Sequence, residues 1–516
     1  MGSHVTERLR LVVKVLGGLV ADEVGTARGR RGGVGWNGPF PAEAESSAGN
    51  EHRRARAVRK ALESLGPFYV KLGQMLSTRP DMVPQSMIDE LENLHDRVDV
   101  QPFSFFEPVL AEDLGPDWKM RFDDVQMQEP LGAASLAQVY RVTLPGGRPA
   151  VVKIQRPGIR DRVLADMALM RKAARIVARV APRFNEVLDV EGMLTSVFDA
   201  MEPELDFRGE ARNMDDAREH VRRYRTLRVP KVLHATPRVL VQSMAPGSSV
   251  RHVDRAEFDD DERLEIARDL VRYMYRGYFV DRMYHADPHA GNVFAAPGEP
   301  ATLIDWGMVG RLDRRTSLRL FPLLMALVQN DGHDLARHWA EMGRVTPWSD
   351  MPGFAHDMAS FVPQISHLSL EDFNFGVSLT KVLQRATKRG IASPPALSLL
   401  GKSFANLDGS VRCLAPEIVV PDVFREEAPG ILRDLLCEFL SPTQLLRNGM
   451  EFLVSASSVP QELRGLLSDT ANRQLALQVH EPRTSSAMGG ERRLRPSTGA
   501  MALGLLALLI RTRRRK

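Results

Sequence analysis

The sequence predicts an α+β fold of two lobes, a small antiparallel-sheet lobe followed by a helical lobe. Three observations carry that expectation. The chain has 516 residues, more than one compact core accommodates and enough for two lobes with extensions. Residues 115–160 carry short alternating runs, Met120–Val125, Gln138–Val142 and Ala150–Ile154, with a Pro145-Gly146-Gly147 turn before the last. That is the pattern of strands joined by hairpins. After Gly307 the pattern is helical to about residue 475, broken at Gly, Pro or Asp near 331–332, 346–353, 390–395 and 415–422.

Composition narrows the function. Lys plus Arg number 69 against 65 acids, a net charge of +4, and the arginines are dispersed until the last six residues. That balance argues against a nucleic-acid binder. The two cysteines, Cys413 and Cys437, have no metal-type spacing and favour a reducing compartment over a disulfide framework. No secretory signal peptide is visible.

Taken in order, residues 5–25 read as a helix with a broad apolar face, too short and too charged at its start to span a membrane. Residues 26–50 read as a flexible linker, rich in Gly, Ser, Arg and Ala. Residues 51–114 read as helical. Within them Lys71, Gln74 and Thr78 recur at helical spacing, and from spacing alone that stripe is a solvated face. Gly132, Ala133, Ala134 and Ser135 make a loop of small residues, either a close-packed turn or one whose amides approach phosphates. Lys153 ends an apolar strand, and a buried lysine must find anionic partners. ATP phosphates and a helix carboxylate would serve.

A long helical stretch follows and contains Glu204, Asp206 and Glu210. Asp206 and Glu210 are one turn apart and share a face, which is unfavourable unless a cation sits there. Lys153 and Lys71 are the candidate cations; an acidic surface is the alternative. Val239–Gln242 reads as a buried strand, Ala245-Pro246-Gly247 as the hinge between lobes, and residues 259–283 as an amphipathic helix.

That helix leads into the stretch on which the function turns, Tyr284–Asn292. Asp287 is followed five residues later by Asn292, and thirteen residues beyond comes Asp305 with Trp306-Gly307. An Asp, a downstream Asn and a later Asp-aromatic-Gly are the parts of a phosphoryl-transfer site. Asp287 orients or deprotonates a nucleophile. Asn292 and Asp305 offer hard oxygens to Mg²⁺, which bridges ATP phosphates.

Residues 482–498 are polar and expected to be disordered. The chain closes with apolar Gly499–Ile510 and basic Arg511–Lys516. Twelve residues reach roughly 18 Å as a helix, short of a ~30 Å hydrocarbon core. The reading is a membrane-inserting or interfacial tail with a cytoplasmic basic end; a helix packed on the protein is the alternative.

Together these residues resemble the UbiB family, atypical protein-kinase-like proteins associated with coenzyme Q and other isoprenoid-lipid metabolism. The resemblance runs from about residue 51 to 475, and five signatures stand in family order. KxGQ is Lys71-Leu72-Gly73-Gln74. The alanine-rich loop is Gly132-Ala133-Ala134-Ser135. The VAVK lysine is Lys153. ExD is Glu204-Leu205-Asp206, followed by an αC-type glutamate at Glu210. The catalytic loop is His285–Asn292, and the DFG counterpart is Asp305-Trp306-Gly307. Leu407-Asp408-Gly409 and Pro460 also fit. In four places the chain departs from the usual family residues, at Gly132, Ser243, Ala290 and Trp306.

The resemblance implies a protein-kinase-like two-lobe fold with an N-terminal KxGQ helical extension and a C-terminal helical tail. It implies Mg²⁺ and ATP as cofactors and ATPase activity rather than ordinary protein phosphorylation. Lys153 would hold the α/β-phosphates and pair with Glu210. Lys71 would reach the Glu204 and Asp206 acids and close the site, with Gln74 the second residue of its motif. The expected divisions are 1–50, 51–114, 115–245, 246–440, 441–495 and 496–516. Expected partners are ATP, a membrane lipid or isoprenoid/quinone intermediate, lipid-biosynthetic enzymes and the membrane surface, at the cytoplasmic face. A true small-molecule or lipid kinase, and a nucleotide-binding scaffold for membrane enzymes, are the other readings.

Overall fold

The computed structural model describes residues 43–450, apart from 78–84, 92, 95–99, 181–193, 196–197, 200, 347–348, 367–373, 443, 445 and 447–449. The helix expected at 5–25, Thr78, Pro460, residues 482–498 and the Gly499–Lys516 tail lie outside them. The described residues fall into two compact units, one reaching Glu426 and the other starting at Glu427.

The extension consists of α1 (Glu43–Leu65), α2 (Pro67–Ser77) and α3 (Gln85–Leu91). α1 starts inside the expected linker, so residues 43–50 are helical. The residues from 51 onward are already expected to be helical, and a helix once formed extends at little cost per residue. Gly66, at φ 99°, separates α1 from α2. A side chain at Gly73 of α2 would collide with Leu94 and Leu62 and crowd Leu91, so this glycine lets the three helices approach one another. α2 also packs Phe68, Tyr69 and Leu72 against Leu136, Ile159 and Val163 of the next region.

That region holds α4 (Glu107–Leu114), β1 (Asp124–Val125), β2 (Gly132–Ala133), β3 (Ala137–Leu144) and β4 (Arg148–Gln155). Then come α5 (Ile159–Val180), α6 (Phe207–Val221), β5 (Leu227–Arg228), β6 (Val232–Ala235) and β7 (Val239–Ser243). An antiparallel sheet runs β1-β3-β4-β7-β6, with β2 on β3. The period of two in β4 sends Ala150, Val152 and Ile154 into a core with Val109, Leu110 and Trp118, and Lys153 to the other face.

Two expectations need correction here. Met120–Val125 is not one strand. Residues Trp118–Arg121 form a 3₁₀ turn because Trp118 is drawn into the core, and only Asp124–Val125 pairs. The helical stretch after Lys153 is interrupted. Glu202–Leu205 is a separate 3₁₀ turn carrying Pro203, and α6 begins afresh at Phe207 behind an Asp206 N-cap.

The second lobe is not purely helical. β8 (Ser248–Ser249), β9 (Met283–His285), β10 (Val293–Ala296), β11 (Glu299–Leu303) and β12 (Val309–Arg311) accompany α7 (Asp260–Phe279). One sheet runs β5-β11-β10-β8, so residues 227–228 cross the expected boundary at 245 to pair in parallel with β11. β9 and β12 form a second ladder. Gly247, at φ 75°, sits where an added Cβ would overlap the Ala295 carbonyl, so the link between lobes requires glycine.

Beyond lie α8 (Arg314–Val328), α9 (Gly332–Met342), α10 (Met351–Ser366), α11 (Phe375–Lys388), α12 (Pro395–Leu414) and α13 (Val420–Phe439). The breaks between α8 and α9, α9 and α10, α11 and α12, and α12 and α13 fall where Gly, Pro or Asp predict them; the one between α10 and α11 is not among those expected. α12 presses Phe404 against Tyr278 of α7, ring centroids 4.4 Å apart, and so reaches the catalytic loop.

Candidate active site

Lys153 stands at the centre. Its Nζ donates to Glu210 Oε1 and Oε2 at 3.1 and 2.9 Å and to Asp305 Oδ1 at 3.1 Å. It also lies 5.3 Å from the centre of the Phe207 ring. Burial alone would push the ammonium pKa down. The charges of Asp305 and Glu210 more than reverse that, so its pKa ends raised. The two acids diverge. Lys153 holds Asp305 well below the usual carboxylate range, whereas burial raises Glu210 against the pull of Lys153. One cation shared by two acids leaves the more enclosed carboxylate to bear the cost.

The loop after β9 is built on His285. The Asp287 amide donates to His285 Nδ1 at 3.1 Å, so the proton sits on Nε2, which donates to the Ile304 carbonyl at 3.0 Å. Burial lowers the His285 pKa and keeps the ring neutral. From α12, Ser403 Oγ donates to the His285 carbonyl and Ser410 Oγ to that of Pro288. The Asp287 carboxylate is itself held from α12. Lys402 Nζ donates to Oδ2 at 3.1 Å and Asn406 Nδ2 to Oδ1. Sequence reasoning missed Lys402 and Asn406. The signal was there as a Lys-Asn pair four residues apart on a helix otherwise lined by Leu400, Phe404, Leu407 and Val411.

The thirteen-residue gap from Asn292 to Asp305 is one hairpin. β10 and β11 pair Val293 with Leu303, and the Ile304 amide donates to the Asn292 carbonyl at 2.9 Å. The two residues proposed as hard-oxygen donors therefore flank one ladder. Asn292 Nδ2 donates to the Asp287 carbonyl at 3.0 Å, which leaves its amide oxygen for a cation. Asp305 adopts φ 61°, a left-handed conformation uncommon outside glycine. Trp306 is fully buried, T-stacked 4.7 Å from His285, and its indole N–H donates to the Leu303 carbonyl at 3.0 Å. Among the described residues no three His, Cys, Asp or Glu side chains gather to hold a metal. One carboxylate and one amide oxygen suit Mg²⁺, which takes few protein ligands and completes its shell with water and phosphates.

Half of the small-residue segment is not a loop. Gly132 and Ala133 form β2, paired with Val139 and Gln138, and only Ala134–Leu136 turn. Arg156 Nε donates to the Ala134 carbonyl at 3.0 Å and pins that turn. Ser243, in the hinge strand, spends its hydroxyl on the Lys231 amide.

The acidic motif divides its tasks. Lys71 Nζ lies 3.0 Å from Glu204 Oε1. Asp206 is the N-cap of α6 rather than a residue within it: its Oδ1 accepts from the Arg208 amide, and Arg208 Nη2 reaches its Oδ2 at 2.6 Å. Gln74 donates to the Leu94 carbonyl at 3.3 Å, so it ties α2 to the chain after α3 rather than entering the site. A single cavity is lined by Lys71, Ser135, Lys153, Glu204, Asp206, Asp287 and Asp305, with Ala134 and Glu210 also on its wall. Gly132, Ala133, Gln74 and Asn292 are not on that wall.

Comparison with known proteins places the chain in a family. The ABC1 atypical kinase-like domain matches residues 93–339, and the UbiB helical domain matches residues 358–419. An uncharacterized protein of Synechocystis sp. is 31% identical over 363 residues, 68% of this chain and 88% of its own. A probable protein kinase UbiB of Pseudomonas aeruginosa is 30% identical over 429 residues, 82% of this chain and 79% of its own. Among solved structures, Rv3197 of Mycobacterium tuberculosis, in complex with erythromycin, aligns at a TM-score of 0.50 and 21% identity. It covers 76% of this chain and 99% of that one, and it supports the fold alone. With two family domains in order and relatives at this identity over most of their length, the chain belongs to the UbiB family of atypical kinase-like proteins.

Proposed function

We propose that this chain is a Mg²⁺-dependent, ATP-binding UbiB-type ATPase or atypical kinase supporting quinone or other isoprenoid-lipid biosynthesis at the cytoplasmic face of a membrane. The observation that carries the nucleotide part is Lys153, bonded at once to Glu210 and Asp305 in a cavity that Asp287 also lines. In this reading Lys153 holds the α/β-phosphates, with Glu210 keeping its ammonium in place. Asp305 and Asn292 ligate Mg²⁺. Bound Mg²⁺–ATP supplies the phosphoryl group to be transferred. Asp287 positions the attacking water or hydroxyl, and Lys402 and Asn406 fix its carboxylate. The pinned Ala134-Ser135 turn, entered from Gly132 and Ala133, faces the phosphates.

Lys71 and Glu204 close one side of the same cavity. That supports water or a small acceptor over a polypeptide. The divisions at 51–114 as a cover, 115–245 and 246–440 as lobes, and 496–516 as a membrane tail belong to this proposal, with residues 227–228 lent to the second lobe.

The test is Mg²⁺-dependent release of phosphate from ATP by the full chain, with Asp287→Asn as control. The variant should lose about a hundredfold or more, the worth of a group acting on the reacting proton. Equal rates would remove Asp287 from the chemistry. Phosphate found on an added small molecule or lipid would make the protein a true kinase, and full biological complementation by Asp287→Asn would make it a scaffold.

Among the described residues no helix is long and apolar enough to cross a membrane. The membrane part of the proposal therefore rests on Gly499–Lys516. Removing 496–516 should abolish flotation with anionic vesicles while leaving the melting temperature unchanged. Equal flotation would move the anchor to residues 5–25.

A further inference from the structure

We propose that Asn213 is a positioning residue that ties the helix carrying Glu210 to the Asp305 loop, with Arg311 holding it in the donating orientation. The inference rests on the Mg²⁺–ATP reading above. Asn213 lies three residues after Glu210 on α6, so both side chains leave one face of the helix. Its Nδ2 donates to the Trp306 carbonyl at 3.0 Å. Arg311, at the end of β12, donates from Nη2 to Asn213 Oδ1 at 3.3 Å and to Asp216 Oδ2 at 3.0 Å. A guanidinium accepts nothing, so the amide oxygen must face Arg311 and the N–H must face Trp306.

What this bond holds is the peptide beside a strained residue. Asp305 sits at φ 61°, a conformation that persists only when its surroundings enforce it. Trp306, next in the chain, is fixed by its ring on His285, by its indole N–H on Leu303 and by its carbonyl on Asn213. The first two fixings come from the second lobe. Only the third comes from α6. One helix thus sets the lysine through Glu210 and the metal-binding aspartate through Asn213, so a displacement of α6 would disturb both together.

Asn213→Asp separates this role from general packing. It keeps the size and an oxygen for Arg311, but it has no N–H for Trp306 and sets a carboxylate against that carbonyl. Two quantities are read on the full chain: amide hydrogen exchange across residues 304–308 without ligand, and the Mg²⁺ concentration giving half of the ATP-dependent rise in melting temperature. The expected result is faster exchange at 304–308 and a half-saturating Mg²⁺ concentration higher by about three- to tenfold, the worth of one hydrogen bond. Asn213→Ala should do at least as much. If Asn213→Ala does not fold, Asn213→Asp alone decides. A folded Asn213→Asp with unchanged exchange and unchanged Mg²⁺ dependence would overturn the proposal. A wild-type protein showing no Mg²⁺-dependent rise would instead sink the metal reading, while the exchange arm would still decide whether Asn213 holds the loop.

Discussion

Asp305→Asn should abolish the Mg²⁺-dependent stabilisation of this protein by ATP. Wild type should melt higher as Mg²⁺–ATP is added, because a ligand bound only by the folded state stabilises it by mass action. The substitution keeps the shape of the side chain and removes the charge. Its carboxylate stays ionised through the neutral range, because Lys153 holds its pKa well below ordinary. The other acids on the cavity wall are engaged, Glu204 by Lys71 and Asp206 by Arg208. Glu210 is committed to Lys153, and Asp287 to Lys402 and Asn406. Asn292 offers only a neutral oxygen, and a hard dication requires anionic donors. The fold should survive, since the Asp305 side chain is about half exposed. A variant stabilised by Mg²⁺–ATP as much as wild type would show that the metal lies elsewhere.

Lys153→Met should destabilise the folded protein by about 3–5 kcal/mol, the cost of stranding a buried charge. Glu210 is the stranded group: its side chain is 5% exposed and takes both of its bonds from Lys153. Asp305 beside it adds repulsion. The pH dependence follows from the direction of the Glu210 shift. Its folded pKa already lies above the ordinary value because of burial, and losing Lys153 raises it further. A carboxyl whose folded pKa is raised costs stability at high pH, and the cost fades as pH falls through that pKa. The defect should therefore be larger at alkaline than at mildly acidic pH. Adding Glu210→Gln should recover part of the loss, because the charge is then gone from both partners. Chemical denaturation across pH checks both statements. A defect that is flat with pH and not relieved by Glu210→Gln would mean Glu210 is not the stranded group.

The parts of the site that were legible in the sequence are the local ones. Asp287, Asn292 and Asp305 lie on one loop and one hairpin, so their spacing survives folding unchanged. Lys153 was marked by the apolar strand that delivers it. What escaped depends on pairings across the chain. Lys402 and Asn406 meet Asp287 across more than a hundred residues, and only the packing of α12 on α7 brings them there. Arg311 meets Asn213 in the same long-range way. Leu227–Arg228 carries no strand period of its own and pairs because β11 presents an edge. The spacing reads Asp206 as lying within the helix that carries Glu210, whereas it stands at that helix's N-cap, where Arg208 meets its carboxylate. The separation into a small antiparallel sheet and a largely helical second lobe was readable because each rests on a period of two or of 3.6. The short strands framing the catalytic loop were not, being three to five residues long with no room for a period.

The account's central claim is that Mg²⁺–ATP binds between Lys153 and Asp305. Calorimetric titration of ATP into the full chain measures it most directly. The account predicts saturable binding in the presence of Mg²⁺, lost on chelation and lost in Asp305→Asn. Binding of equal affinity in wild type and Asp305→Asn, or none in wild type with Mg²⁺ present, would contradict it.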